Sequence, residues 1–204
     1  MQYLLDYLAA AILGSALLLI MINANDTAAE NQSVYNGEAL VQEMLVQTAS
    51  LLEGELRNMG VGVPETDKSI LWADTTYIRF LYDVDRDGTV DTVSYFVGTT
   101  AEMLGTPNEL DRPLYRRIDS GAPLMVGSVT GFALRYLTKL GALIPTPVSS
   151  AQLGEIHAVE VTMEIQNPYA MMRTDGTVAA GERTALYSSS LWQQTRLASQ
   201  NMRR

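Results

Sequence analysis

The most pointed chemical motif in the sequence is a run of closely spaced aspartates, DVDRDGTVD, at residues 83–91. Calcium prefers several oxygen ligands that converge on a tight turn, and the motif offers carboxylates at loop positions one, three, five and nine, with glycine at six: Asp83, Asp85, Asp87 and Asp91, with Gly88. Position twelve is Ser94, where an EF-hand loop has a bidentate glutamate. The motif therefore indicates either a weak calcium site, which is the one candidate cofactor, or an acidic hairpin tip built on a favoured Asp-Gly turn.

Residue types suited to nucleophilic or zinc-based catalysis are scarce. The 204 residues include no cysteine and one histidine, His157, which opens a predicted strand on its apolar side. A zinc site needs several converging ligands, so a single imidazole is too few. Neither a Walker-type loop nor a G-x-G-x-x-G fingerprint is present. We therefore predict that the chain is not an enzyme, and a membrane-tethered hydrolase is the least favoured alternative.

The strongest physical signal is an apolar run at residues 3–22, YLLDYLAAAILGSALLLIMI. As a helix it is long enough to cross a bilayer core of ~30 Å. No Lys or Arg precedes it, and the residues after it do not resemble a cleavage site, so we expect a retained single-pass anchor and not a signal peptide. A buried core helix is the alternative. Without flanking basic residues, the sequence does not assign an orientation.

Asp6 is the one charged residue within this run. A carboxylate deep in a bilayer costs about 2.5–3.5 kcal/mol, so something should compensate its charge. Either Asp6 lies near the headgroups, where the dipole of the first helical turn favours it, or it pairs with a cation of another subunit.

The overall charge disfavours nucleic acid as a partner. The formal net charge is −9, and no Lys or Arg precedes Arg57, whereas the first 56 residues hold seven carboxylates: Asp6, Asp26, Glu30, Glu38, Glu43, Glu53 and Glu55. Such a surface repels phosphate backbones. With 47% hydrophobic and 18% charged residues, the composition is that of a globular protein with an extra apolar segment.

The helix is predicted to continue well beyond the apolar run. One stripe repeats at spacings of three and four, and must face a core: Val41, Leu45, Thr48, Leu52, Leu56 and Met59. Arg57, Gly60 and Pro64 together indicate a helix stop, which gives a helix from Gln2 to Met59. The alternative to a continuous helix is a kink or break near Asn23, Asn25 or Gly37.

Beyond Pro64 the apolar period changes from 3.6 to 2.0, which predicts a sheet. A hairpin is expected over 77–97, with further strands at 130–136, 157–165 and 185–191, giving four or five strands in one mainly antiparallel sheet. Loops are expected at 104–113, 141–154 and 167–182, the last with a turn at Asp175-Gly176. The predicted fold class is α+β, with a membrane or assembly part at 1–25 and a head at 26–204, comprising helix 26–60 and a sheet within 70–195.

The sequence resembles type IV pilin-like proteins, in particular the minor pilins and J-type pseudopilins of bacterial pilus and type II secretion machines. The similar features are the apolar helix with a carboxylate in its second turn, Asp6, the segment LLEGELRNMGVG at 51–62, the acidic hairpin at 83–95, LYRR at 114–117 and VTGFALRYL at 129–137. Asp6 stands where that family has a glutamate at mature position five.

The resemblance implies a structural subunit that assembles through its N-terminal helix with other pilin or pseudopilin subunits. Asp6 would neutralise a neighbour's N-terminal amine, and the apolar residues around it would pack in the filament: Leu4, Leu5, Leu8, Leu13 and Leu17. It also implies a single-pass protein of the bacterial inner membrane, with its head in the periplasm or in an extracellular filament. The alternative is a membrane-anchored, calcium-dependent surface or periplasmic binding domain that does not polymerise.

Overall fold

One uninterrupted helix dominates the N-terminal part of the chain. A computed structural model describes residues 2–106, 108–167, 171–173, 184–186 and 190–197. Helix α1 spans Gln2–Asn58, which is 57 residues and roughly 86 Å at 1.5 Å per residue. It ends one residue before the predicted Met59, and Gly60 follows in the left-handed conformation with φ of 84°.

The glycine inside the helix has a packing role. Gly37 lies within the continuous helix and is buried. A Cβ atom at this position would lie 2.2 Å from Nδ2 of Asn167, a side chain that is itself only 4% exposed. Gly37 therefore lets the helix backbone approach the end of a strand, and the helix does not break there.

The first sheet contains five strands in chain order, each antiparallel to its neighbour. They are β1 (Ile70–Ala73), β2 (Tyr77–Tyr82), β3 (Asp91–Val97), β4 (Arg112–Ile118) and β5 (Leu124–Val129). A 3₁₀ turn at Thr100–Met103 lies between β3 and β4.

The second sheet has four strands in the order β11-β8-β6-β7, also antiparallel. Its strands are β6 (Gly131–Leu137), β7 (Leu143–Ile144), β8 (Ala158–Gln166) and β11 (Ser190–Leu197). A short 3₁₀ turn at Leu153–Glu155 precedes β8. Two further strands, β9 (Met171–Arg173) and β10 (Thr184–Leu186), pair with each other.

The predicted fold class, a long helix packed by its C-terminal half on antiparallel sheet, is confirmed, but the single sheet is wrong. The chain changes sheet at Thr130, whose N–H donates to the carbonyl of Glu164 at 2.9 Å, so β6 joins β8 and not β5. The strand expected at 185–191 is instead two strands, β10 and β11. The three predicted loops contain the first residues of β4, strand β7 and strand β9. Asp175-Gly176 lies outside the described residues.

The core lies between the C-terminal half of the helix and the two sheets, as the apolar stripe predicts. The stripe residues are at most 7% exposed: Val41, Leu45, Thr48, Leu52, Leu56 and Met59. They meet alternating inward residues of the hairpin, Ile78, Phe80, Val93 and Tyr95, and of β8, Val159, Val161, Met163 and Ile165. Each fully buried apolar side chain contributes about 1.5–3 kcal/mol relative to exposure, so this interface fixes the helix on the head.

Candidate functional site

The N-terminal half of the helix leaves its apolar side chains uncovered. Residues Asp6–Ala29 have a mean hydropathy of 2.1, and none of that stretch is buried. By length and composition it is able to cross a membrane. Four of the predicted assembly residues are 59–74% exposed: Leu4, Leu8, Leu13 and Leu17. The side chain of Leu5 is outside the described part of the chain.

An exposed apolar surface of this extent indicates a binding surface. Large exposed apolar residues recur along the helix from Tyr3 to Ile22, with mainly small residues between them. Monomeric soluble proteins rarely expose apolar patches beyond a few hundred Å². The surface is therefore built to be covered by lipid or by other polypeptides.

Asp6 is exposed and lies far along the helix from the part that packs on the sheets. Among the helical residues whose burial is described, the first buried one is Gly37, which lies 31 residues, or roughly 46 Å along the helix axis, from Asp6. Arg57, the first basic residue of the sequence, lies roughly 76 Å away. Asp6 forms no ion pair among the described residues.

The docked half of the helix carries a carboxylate that the sequence analysis did not single out. Glu55 is 8% exposed and accepts a hydrogen bond from the Tyr95 hydroxyl at 2.5 Å. The Arg116 guanidinium donates from Nε to both carboxylate oxygens, at 2.9 and 3.0 Å, and also from Nη2. This salt bridge joins α1 to β4, and the hydroxyl joins α1 to β3.

Burial and charge in this cluster shift the pKa values of its members. Burial, followed by the negative charge of Glu55, raises the pKa of Tyr95 far above its ordinary value. Burial and a hydrogen bond with Glu55 likewise raise the pKa of Tyr82. The hydrogen bonds to Glu55 raise the pKa of Arg116. The cluster therefore holds neutral tyrosines around one buried ion pair at neutral pH.

The position of Glu55 in the apolar stripe is the signal that would have identified it. It lies between Leu52 and Leu56, both 1% exposed, so its side chain reaches the core-facing side of the helix. A carboxylate there needs a cation and hydrogen-bond donors. The cation is Arg116 of β4. The sequence did not predict this partner, because β4 was not predicted as a strand.

Three of the four aspartates proposed as calcium ligands come together. One carboxylate oxygen each from Asp83, Asp85 and Asp91 lies within 4.8 Å of the others, whereas Asp87 is not in this group. Asp91 opens β3, while Asp83 and Asp85 follow β2, so the hairpin brings them to one end of the first sheet.

The backbone of this loop is organised by its own side chains. Asp83 accepts from the N–H groups of Asp87 and Gly88, at 3.1 and 3.0 Å. Asp91 accepts from the N–H of Val84 at 2.9 Å, and Asp87 accepts from Thr89 at 2.7 Å. Gly88 has φ of 89°, a conformation that residues with a Cβ atom rarely adopt, so the tight turn depends on glycine. Three converging carboxylates on such a turn fit a hard cation such as calcium.

His157 lies in a structural position. It directly precedes β8, is partly buried, and its N–H donates to the carbonyl of Leu137 at 2.8 Å. This backbone contact begins the pairing of β8 with β6.

Comparisons with known proteins give a similarity to solved structures and none to curated sequences. No protein-family model matches the sequence, and no curated protein matches it. Among solved structures, a type IV-like pilin from Thermus thermophilus is similar, with 13% sequence identity and a TM-score of 0.48. The match covers 80% of this chain and 97% of the pilin chain. At this level of identity, it is a similarity of fold and not of function.

Proposed function

We propose that this chain is a pilin-like structural subunit that assembles through the N-terminal half of its helix. The observation that carries the proposal is the fully exposed apolar stretch Asp6–Ala29, which continues without a break into a helix docked on the head. An apolar helix that its own head does not cover gains stability only from lipid or from the helices of other subunits. An uninterrupted helix also holds the head at a fixed distance from whatever covers its apolar end.

In this proposal the chain has two parts with separate tasks. Residues 1–25 insert into the membrane and pack against other subunits, and residues 26–204 form the head. Leu4, Leu5, Leu8, Leu13 and Leu17 supply apolar contacts, while Asp6 pairs with an N-terminal amine of a neighbouring subunit. The described residues of the head form no ion pair with Asp6, and Gly37, the first helical residue described as buried, is roughly 46 Å away along the axis.

The finer assignment is a minor pilin or pseudopilin of a type IV pilus or type II secretion apparatus. It is supported by the sequence resemblance of the helix end at 51–62 and of the acidic hairpin. A subunit of this kind would be anchored in the bacterial inner membrane by a single helix, with its head in the periplasm or in an extracellular filament. Its partners would be other pilin-like subunits, and no nucleic acid is expected.

The decisive experiment replaces Asp6 and follows assembly in cell membranes. Asp6→Ala should leave membrane insertion intact, because it removes a charge from the apolar segment, yet reduce co-purification with partner subunits severalfold. Asp26→Ala is the matched control, since Asp26 is exposed on the same helix near the other end of the apolar stretch. Unchanged co-purification of Asp6→Ala would contradict the assembly role. A full-length chain that is monomeric in water without detergent would contradict the whole proposal.

One observation favours a second candidate, the anchored calcium-dependent binding domain. The carboxylates of Asp83, Asp85 and Asp91 converge on the head, far from the apolar end. If calcium removal abolished binding of an external ligand, while Asp6→Ala left the protein's partners unchanged, this second function would replace the first.

A further inference from the structure

The first sheet presents an aromatic surface on the face away from the core. In β2, Ile78 and Phe80 are fully buried, whereas the alternate residues Tyr77 and Arg79 are only partly buried and lie on the opposite face. Tyr77 pairs with Phe96 of β3, and Phe96 pairs with Tyr115 of β4. Their ring centroids are 6.0 and 5.3 Å apart, so three rings form a row across three strands.

This row ends in an open pocket at the edge strand. The pocket has a volume of about 370 Å³ and is lined by Trp72, Asp74, Tyr77 and Arg79. The sheet register explains why these four side chains meet. Trp72 lies opposite Arg79, and the N–H of Asp74 donates to the carbonyl of Tyr77 at 2.8 Å. Trp72 of β1, Asp74 just after it, and Tyr77 and Arg79 of β2 therefore share one face.

The pocket combines exposed aromatic surface with two side chains of opposite charge, Asp74 and Arg79. The Trp72 side chain is 54% exposed, although an indole of this size is usually largely buried. The Nε atom of Arg79 is buried and has no hydrogen-bond partner among the described residues. Asp74 contributes a carboxylate beside it, one oxygen of which accepts from the N–H of Thr75 at 2.7 Å.

We infer that this pocket binds a neutral pyranose unit of a glycan. The flat faces of Trp72 and Tyr77 match the apolar C–H face of a sugar ring, since aromatic side chains combine apolar area with limited flexibility. Asp74 accepts hydrogen bonds from sugar hydroxyls, and Arg79 donates to sugar oxygens. The volume lies within the range of about 300–1,000 Å³ typical of small-molecule sites.

The balance of charge selects a neutral ligand. The pocket has one carboxylate and one guanidinium, so Asp74 would repel an anionic ligand and Arg79 would repel a cationic one. A polyol has both donors and acceptors and carries no charge, and therefore satisfies both groups. Nucleic acid is disfavoured by Asp74 and by the net charge of −9.

The pocket lies on the sheet face that is turned away from the helix. The residues lining it lie on the sheet face opposite to Ile78 and Phe80, which belong to the core packed against α1. Contacts made through the N-terminal helices alone would not cover this face. Sugar binding does not require the assembly, so its failure leaves the proposed function untouched.

Saturation-transfer NMR tests whether the full-length chain binds sugars, in a detergent without a sugar headgroup. The probes are methyl glucoside, methyl galactoside, methyl mannoside and N-acetylglucosamine, with glucuronate as the anionic comparison. We expect transfer to the ring protons of at least one neutral sugar, with millimolar affinity. Trp72→Ala and Arg79→Gln should each weaken that affinity about tenfold, because each removes one class of contact.

Two further variants separate binding from folding. Trp72→Phe keeps an aromatic face and should retain most of the affinity. Tyr35→Ala removes an aromatic side chain that is 71% exposed on the helix, outside the pocket, and should bind as the wild type does. No transfer to any neutral sugar would overturn the inference, as would wild-type affinity in Trp72→Ala or tighter binding of glucuronate than of the neutral sugars.

Discussion

The two halves of the long helix are both rich in apolar residues but relate to the head in opposite ways. Residues Asp6–Ala29 are apolar on every side and contact none of the head, since none of that stretch is buried. Residues 41–59 are apolar along one stripe, and that stripe is covered by the two sheets. The two halves differ in the periodicity of their hydrophobic residues and not simply in how many they contain. A helix that is apolar all round needs an apolar environment all round, which a single head does not provide.

The same difference separates stability from assembly. Contacts of the docked half are made within one chain, so their loss should unfold the head. In the proposed function, contacts of the exposed half are made with lipid or other chains, so their loss should leave the folded head unchanged. Substitutions in the two halves should therefore have effects that do not overlap.

The largest effect on stability is expected from breaking the buried ion pair of the docked half. Arg116→Ala leaves Glu55 buried without its cation and should lower the free energy of unfolding by about 3–5 kcal/mol. Arg117→Ala is the matched control, because Arg117 is the next residue of β4 and its guanidinium lies 5.8 Å from the Phe96 ring on the outer face. Its loss should cost less than about 1 kcal/mol. Chemical denaturation of the full-length chain in detergent measures both, and equal losses would contradict a special role for the ion pair.

A leucine pair compares the two halves directly. Leu52 is 1% exposed in the docked half, and Leu18 is 60% exposed in the apolar half. Leu52→Ala should destabilise the head by about 2–5 kcal/mol, because a cavity remains in the core. Leu18→Ala should leave the unfolding of the head unchanged. Denaturation followed by near-UV circular dichroism reports on both, and a loss of head stability in Leu18→Ala would contradict the separation of the two halves.

Sequence patterns predicted those elements in which burial alternates cleanly. The helix, the hairpin, β6 and β8 were predicted because their buried residues recur at periods of 3.6 or 2.0. Strand β4 was missed because Arg116 faces inward to Glu55, so a polar residue occupies a core position and hides the alternation. The change of sheet at Thr130 depends on a hydrogen bond to Glu164, 34 residues away, which no local pattern specifies.

The candidate sites follow the same rule. The exposed apolar helix and three of the four aspartates were identified because their residue types and spacing are local. The Glu55 cluster and the aromatic pocket were not identified, because each joins elements that are distant in sequence. Trp72, Tyr77, Phe96 and Tyr115 become neighbours only through strand register.

A pH series sharpens the description of the docked half. The pKa of Tyr95 is raised above its ordinary value of about 10, mainly by burial and then by Glu55, so the folded state binds the hydroxyl proton more tightly than the unfolded state. Its contribution to stability is complete below pH 10 and is lost as pH rises further, by up to about 1.4 kcal/mol per pH unit. Tyr95→Phe should be less stable than the wild type at pH 7, where it lacks the hydrogen bond to Glu55, and this difference should shrink above pH 10. Denaturation from pH 7 to pH 11.5 measures it, and a constant difference would contradict the assignment.

The smallest effect is expected at the acidic loop, which adjoins the docked end of the helix and lies far from its apolar end. The N–H of Asp83 donates to the carbonyl of Val61 at 2.9 Å, so a cation held by Asp83, Asp85 and Asp91 would stabilise the loop against the helix terminus. A site with a dissociation constant of about 1 mM would raise the free energy of unfolding by only about 1.4 kcal/mol at 10 mM calcium. Calorimetry should detect calcium binding that Asp85→Asn abolishes and Asp87→Asn largely retains, because Asp87 is outside the converging group. If both variants lost calcium binding equally, disruption of the turn would explain the loss better than removal of a ligand. If calcium produced no heat with the wild type, the loop would be an acidic hairpin tip and not a calcium site.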